Sequence, residues 1–205
     1  TMNIAGPTIA PQAHVERILR SLPQWFGIEA SLMEYVADSG RFPTFFAESA
    51  QPVGFLTVRQ HFIGSWEVHC VAVHAAHRGQ GVGRHLHQAV ERWLQGQGAQ
   101  VLQVKTLAAE HPSPEYAETR RFYEALGYVP LEVFPTLWVP KLPVLQLVPN
   151  LSMVCGAADP PTSVKRSGNV RKTSVKRPWE SLKVLKPAQT AGFAAAAYPA
   201  PQSAA

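Results

Sequence analysis

The sequence predicts a mixed α/β domain, one sheet covered by helices, followed by a basic tail. Three observations predict it. Apolar residues near the start recur at helical spacing, the period then switches to strand-like alternation, and from residue 66 a strand, helix, strand, helix and two last strands succeed one another. The expected boundaries are a loose N-terminus over 1–11, the domain over 12–151 and the tail over 152–205.

Val15, Ile18, Leu19 and Leu22 share one helical face, and Pro23 limits that helix. A second helix runs from Glu29 to Ser39 with Leu32, Tyr35 and Val36 on one side and Gly40 as its stop. Residues 44–48 and 53–59 are rich in β-branched and aromatic side chains, and with Ser49–Pro52 between them they read as a hairpin. In the strand Trp66–Val73, alternation puts Trp66, Val68, Cys70 and Ala72 on one face and Glu67, His69, Val71 and Val73 on the other. The second face starts polar and ends apolar, as a strand does when one end opens into a site. A helix over 83–97 carries Leu86, Val90, Trp93 and Leu94 and stops at Gly96 and Gly98. The strand Val101–Thr106 should then lie parallel to its predecessor through a right-handed crossover. Glu115–Leu126 is helical, with Tyr116, Thr119, Phe122, Tyr123 and Leu126 at core spacing, Gly127 caps it, and 128–134 and 144–148 supply the last strands.

The formal charge is +5, but it is lopsided: eight of the 19 Lys and Arg and only two of the 14 Asp and Glu lie beyond residue 154. The folded part is near neutral, which argues against a nucleic-acid-binding domain. The tail repeats Thr-Ser-Val-Lys-Arg at 162–166 and 173–177 and has little to bury, so it reads as disordered. Its cations suit at most a weak, salt-sensitive contact with phosphate or an acidic surface. Two cysteines, Cys70 and Cys155, make no disulfide framework. The sequence has no apolar run long enough to span a membrane and no signal-peptide pattern, so cytoplasm is the expected compartment.

The sharpest local signal is the turn Arg78-Gly79-Gln80-Gly81-Val82-Gly83 between a strand and a helix. Its glycines let backbone N–H groups approach a ligand closely, and the free N–H groups and dipole of the next helix favour an anion such as pyrophosphate. Glycines in such a turn can equally be structural. A dinucleotide fingerprint fails because position 84 is Arg where the third glycine would stand, and no Lys-Ser/Thr closes a nucleotide-phosphate loop.

This turn resembles the acetyl-coenzyme A signature, Gln/Arg-x-x-Gly-x-Gly/Ala, of the GNAT superfamily of N-acetyltransferases. Glu67–His74 resembles that family's central strand, Leu102–Leu107 the strand that splays from it, and Thr119–Tyr128 the helix of a second conserved block. Leu22–Gly27 and Glu132–Trp138 resemble a bacterial subgroup of uncharacterised acetyltransferases. The resemblance implies a mostly antiparallel sheet with a splayed parallel strand pair that forms the acetyl-CoA cleft. It also implies transfer of acetyl from acetyl-CoA to an amine, by direct attack in a ternary complex. Arg78, Gly79, Gln80, Gly81, Val82, Gly83 and Arg84 would then hold the pyrophosphate, and the edge at Val71, Ala72 and Val73 would pair with the pantetheine arm. The acceptor would be a small-molecule amine or a protein amino group, and a homodimer is an analogy with the family. A non-catalytic acyl-CoA sensor or interaction module of the same fold is the alternative.

Acetyl transfer needs a base for the amine and an acid for the leaving thiolate. Glu67, at the polar opening of its strand, is the first candidate base, directly or through water; it reads equally as a solvent-facing partner of Arg59. His69 is the second, a proton relay or a core-edge histidine. The resemblance places Tyr123 beside the coenzyme sulfur as the acid, although spacing alone makes it a core aromatic. Cys70 alternates away from His69, which argues against covalent catalysis. Trp25, Phe26, Tyr35, Phe42 and Phe46 could roof an acceptor pocket or fill a core. No metal-ligand spacing emerges among the histidines.

Overall fold

The computed structural model describes residues 2–8, 12–139 and 141–150. The sequence expectation for the tail, including Cys155, lies outside the described residues. In chain order the elements are β1 (Asn3–Thr8), α1 (Gln12–Arg20), α2 (Glu29–Ser39), β2 (Thr44–Glu48), β3 (Pro52–Phe62), β4 (Ser65–Val73), a 3-10 turn at Ala75–His77, α3 (Val82–Gly96), β5 (Val101–Leu107), α4 (Pro114–Ala125), β6 (Tyr128–Val139) and β7 (Leu142–Pro149).

These strands form one sheet in the order β1-β2-β3-β4-β5-β7-β6, antiparallel throughout except where β4 meets β5. Helices α1 and α2 bury Val15, Ile18, Leu19, Leu32 and Val36 against one face, together with Phe46, Phe55, Cys70 and Ala72. On the other face α3 buries Val82, Leu86, Val90 and Leu94 at i, i+4 spacing among Leu56, Val58, Val68 and Val104. This is the mixed α/β architecture that the sequence predicts.

Two local expectations are corrected. The segment expected to be loose includes a strand: Asn3–Ala5 pair with Phe46–Glu48, because β2 would otherwise present a bare edge. In β4, simple alternation fails at one point. Val58 pairs with Val68 and Thr57 with Cys70, so His69 is the extra residue of a β-bulge. The bulge inverts the parity of everything after it. Trp66, Val68, Val71 and Val73 therefore face α3, whereas Cys70 and Ala72 face α1 and α2. His69 contacts Tyr35 of α2, so Cys70 lies on the side of His69 and not away from it.

The same point is where the sheet forks. β4 and β5 pair only from Ser65–Val101 to Val68–Val104. Beyond Val104, β5 continues with β7 on its other side while β4 runs on to Val73, so residues 69–73 have no register partner in β5.

Candidate functional site in the sheet fork

A cavity of about 380 Å³ fills the fork. Residues from both faces of the sheet line it: Val71, Val73, Phe122 and Tyr123 from the α3 side, and Tyr35, His69, Cys70 and Lys105 from the α1–α2 side. One space thus runs through the sheet from the glycine turn to the aromatic residues around α2.

At the turn, Gly79 and Gly81 have φ of 73° and 79°, the left-handed region that glycine enters without a Cβ clash. Gly81 is the N-cap of α3 and supplies no side-chain cap, so the first-turn N–H groups of Val82, Gly83 and Arg84 have no intrahelical acceptor. A Cβ on Gly79 would meet nothing within 4 Å, and one on Gly81 only His85 at 3.8 Å. The turn is therefore an open cradle of donors at a helix N-terminus, suited to a phosphate. Gly83 has a different role: a Cβ there would come within 3.1 Å of the Phe122 ring, so it lets α4 pack on α3.

The sequence-predicted residues divide. Val71, Ala72, Val73, Arg78, Gly79, Gly81, Val82, Gly83, Arg84, His69 and Tyr123 all line the cavity. Gln80 does not; its side-chain amide donates to the Ala76 carbonyl at 3.4 Å. Glu67 does not line it either. Its carboxylate accepts from Lys105 Nζ at 2.8 Å and lies 2.5 Å from His61 Nε2. Burial raises the pKa of Glu67, but the Lys105 and His61 contacts outweigh it and hold the carboxyl below its ordinary value. The Arg59 expected as its partner pairs with it only in backbone register, and the Arg59 guanidinium sits 5.4 Å from the centre of the Phe42 ring.

His69 is placed differently. Its Nε2 lies 2.9 Å from Asp38 Oδ2, and its ring is edge-on to Tyr35 and Phe42 at 5.4 and 5.6 Å. Burial lowers its pKa and prevails over the opposing pull of Asp38, so the imidazole is neutral at pH 7 with a carboxylate to orient it. Tyr123 is 2% exposed, and burial pushes its phenol far up, keeping it protonated. The Cys70 thiol is likewise pushed up by burial, which makes it inert despite its position beside His69.

Of the five aromatics expected to roof a pocket, Trp25, Phe26 and Tyr35 line the cavity, Phe42 backs His69, and Phe46 is core. The Trp25 indole N–H donates across the cavity to α4, at 3.2 Å from both the Glu115 carbonyl and Thr119 Oγ1. Asp38 and Lys105 were not singled out in the sequence. Each carries a signal: an acid three residues after Tyr35 on a half-buried side of α2, and a lysine between Val104 and Thr106 in the strand Val101–Leu107. Among the described residues no group of three or more His, Cys, Asp or Glu is placed to hold a metal, and no helix is long and apolar enough to cross a membrane.

Residues 40–130 match the model of the acetyltransferase (GNAT) domain. Among solved structures, a protein of the GNAT family from Desulfovibrio desulfuricans superposes with a TM-score of 0.62 at 20% identity, over 72% of this chain and 98% of that one. An aminoglycoside 6'-N-acetyltransferase complexed with coenzyme A gives 0.56 at 20% identity, over 71% and 95%. The ribosomal-protein-S18-alanine N-acetyltransferase of Escherichia coli gives 0.58 at 16% identity, over 73% and 93%. No curated protein sequence matches the chain.

Proposed function

We propose that this chain, which has the GNAT-superfamily acetyltransferase fold, transfers an acetyl group from acetyl-CoA to an amine held on the α1–α2 side of the fork. One observation carries the reading: a single cavity joins the donor cradle at Gly79–Arg84, the unpaired β4 edge at Val71–Val73, the protonated Tyr123 and the neutral His69. The residues present fit the coenzyme. Backbone N–H groups of Val82 to Arg84 suit its pyrophosphate, and the free polar groups of β4 beyond Val68 suit the amides of its pantetheine arm. When bound, acetyl-CoA supplies an activated acetyl thioester.

The chain's own groups supply the rest. His69, oriented by Asp38, accepts a proton from the acceptor nitrogen as that nitrogen's lone pair forms the new C–N bond. Tyr123 donates its phenolic hydrogen toward the sulfur as the C–S bond breaks. This reading moves the base from Glu67 to His69, because Glu67 lies outside the cavity and its carboxylate already accepts from Lys105 and Gln103 and contacts His61. Trp25 bridges the two cavity walls, which favours a small-molecule acceptor over a protein segment lying in an open groove.

The first test is calorimetric titration with acetyl-CoA of the wild type and of Gly81→Glu, whose carboxylate would occupy the cradle and repel phosphate. Binding in the micromolar range or tighter that is lost in the variant is expected. Tyr123→Phe should keep that affinity and lose about 100-fold or more in kcat. Tight binding with no transfer to any amine would favour an acyl-CoA sensor of the same fold. A folded wild type that does not bind would overturn the coenzyme site itself.

A further inference from the structure

We infer that the acceptor is an aromatic compound bearing both an amine and a carboxylate, with its ring against Phe26, Tyr35 and Trp138 and its carboxylate on Lys105. This rests on the acetyl-transfer reading above and names the substrate class of that site.

Three features of the acceptor half support it. Its walls are flat and apolar: Phe26 and Tyr35 meet edge-on at 5.9 Å, and Trp25 and Trp138 line the same space. Such walls reward a planar ring with packing area and edge-to-face contacts. On the His69 side the lining charge has one sign. The carboxylates nearest by, Asp38 and Glu67, are bound to His69 and to Lys105 and His61, and neither lines the cavity. Glu118 does line it, but at the α4 wall, in an ion pair with Arg78. A polycationic acceptor would thus bury ammonium groups without counter-charges, which is costly. Finally, Lys105 is the cation among the described residues that lines the cavity on the His69 side, and it keeps donors to spare. Glu67 takes one of its three N–H groups at 2.8 Å, and the side chain is 21% exposed at the cavity.

The end of the ladder places the amine and acid sites on facing sides of the fork. Glu67 pairs with Gln103 on the last rungs of the parallel ladder, and His69 and Lys105 are each two residues further on, facing the same side across the fork. An acceptor with its nitrogen at His69 therefore has Lys105 on the opposite lip, within reach of a substituent a few bonds away.

The experiment compares L-phenylalanine, 2-phenylethylamine and spermidine as acceptors, by release of free coenzyme A, in the wild type, Lys105→Met and Lys105→Arg. Phenylalanine and phenylethylamine differ only by the carboxylate. The wild type is expected to prefer phenylalanine by about tenfold or more in kcat/KM, the size of a charge-assisted hydrogen bond, with spermidine at background. Lys105→Met should bring that ratio close to one and Lys105→Arg should keep it. Acetyl-CoA affinity by calorimetry serves as the control for folding. Equal or better use of phenylethylamine or spermidine by the wild type overturns the inference while leaving acetyl transfer intact; coenzyme binding with no transfer to any of the three overturns the inference and favours the acyl-CoA sensor. Absence of coenzyme binding overturns the reading beneath it. Because the wild-type ratio alone can refute the inference, misfolding of Lys105→Met does not protect it.

Discussion

The guanidinium carbon of Arg78 lies 4.1 Å from the centre of the Trp25 ring, while its Nη2 lies 2.9 Å from Glu118 Oε2. Arg78 belongs to the glycine turn and Trp25 to the α1–α2 connection, so the first residue of the anion cradle is also a clasp on the acceptor chamber. A phosphate entering the cradle would compete with Glu118 for the guanidinium. Arg78→Ala should weaken acetyl-CoA binding about tenfold, as loss of one charge-assisted contact does. Glu118→Gln should tighten it by no more than about fivefold, because an exposed ion pair is worth at most ~1 kcal/mol. Indole emission should change on saturation with coenzyme in the wild type and change less in Trp25→Phe, where Trp138 remains at the cavity. An unchanged wild-type signal would show that the clasp does not respond.

The His69–Asp38 pair makes a prediction with a definite sign. Because the folded pKa of His69 lies below the ordinary value of 6.5, chiefly through burial, the neutral base is present above that lowered pKa. The acid limb of kcat/KM, which reports the free enzyme, should therefore have its midpoint below pH 6.5. Asp38 raises the His69 pKa, so Asp38→Asn should move the limb further toward acid while reducing kcat through lost orientation. His69→Ala should cost about 100-fold or more in kcat. If the limb stays in place in Asp38→Asn, a different group is titrating.

Much of this site was legible in the sequence, because the sequence pattern and the fold use the same residues. The glycine turn, the strand before it and the helix after it stand where spacing puts them, and Trp25, Phe26 and Tyr35 reach the cavity from a segment already read as a possible roof. What could not be read was the bulge at His69. A one-residue slip in register leaves no mark on a run such as Trp66–Val73, where every residue suits a strand, and it reverses which side chains share a face. That slip reverses the argument for Cys70, although burial leaves its thiol inert for another reason. The Glu67–Lys105 contact was hidden too, because it depends on the parallel register of two strands separated by a helix.

That contact predicts a pH-dependent stability. The folded pKa of Glu67 is depressed below 4.5, so its contribution is fully present above pH 4.5 and is lost as pH falls through the folded value. Glu67→Gln leaves Lys105 without its anion. The pair is 12% and 21% exposed, so the cost at pH 7 should be of order 2–3 kcal/mol, below the ~3–5 kcal/mol of a fully buried pair. Urea unfolding at pH 7 and at pH 3.5 should show the difference between wild type and variant shrinking in acid. An equal difference at both values would assign the loss to packing.

The glycines of the turn should separate in the same kind of experiment, because each is required for a different reason. At Gly81 there is room for a methyl group, but φ is +79°, so alanine pays about 1–2 kcal/mol of backbone strain. Relief of that strain would rotate the cradle, so Gly81→Ala should lose both stability and acetyl-CoA affinity. Gly83 lies within α3, where alanine is the better helix former, but its Cβ would meet Phe122 at 3.1 and 3.2 Å. The ring can yield by a few tenths of an ångström, and it lines the cavity. Gly83→Ala should therefore change the melting temperature little and weaken coenzyme binding several-fold, a loss that Phe122→Leu restores by removing the crowded ring atoms. No such rescue should occur for Gly81→Ala, whose defect is in the backbone. If Phe122→Leu rescues both or neither, the two glycines share one role and the contact with Phe122 is incidental.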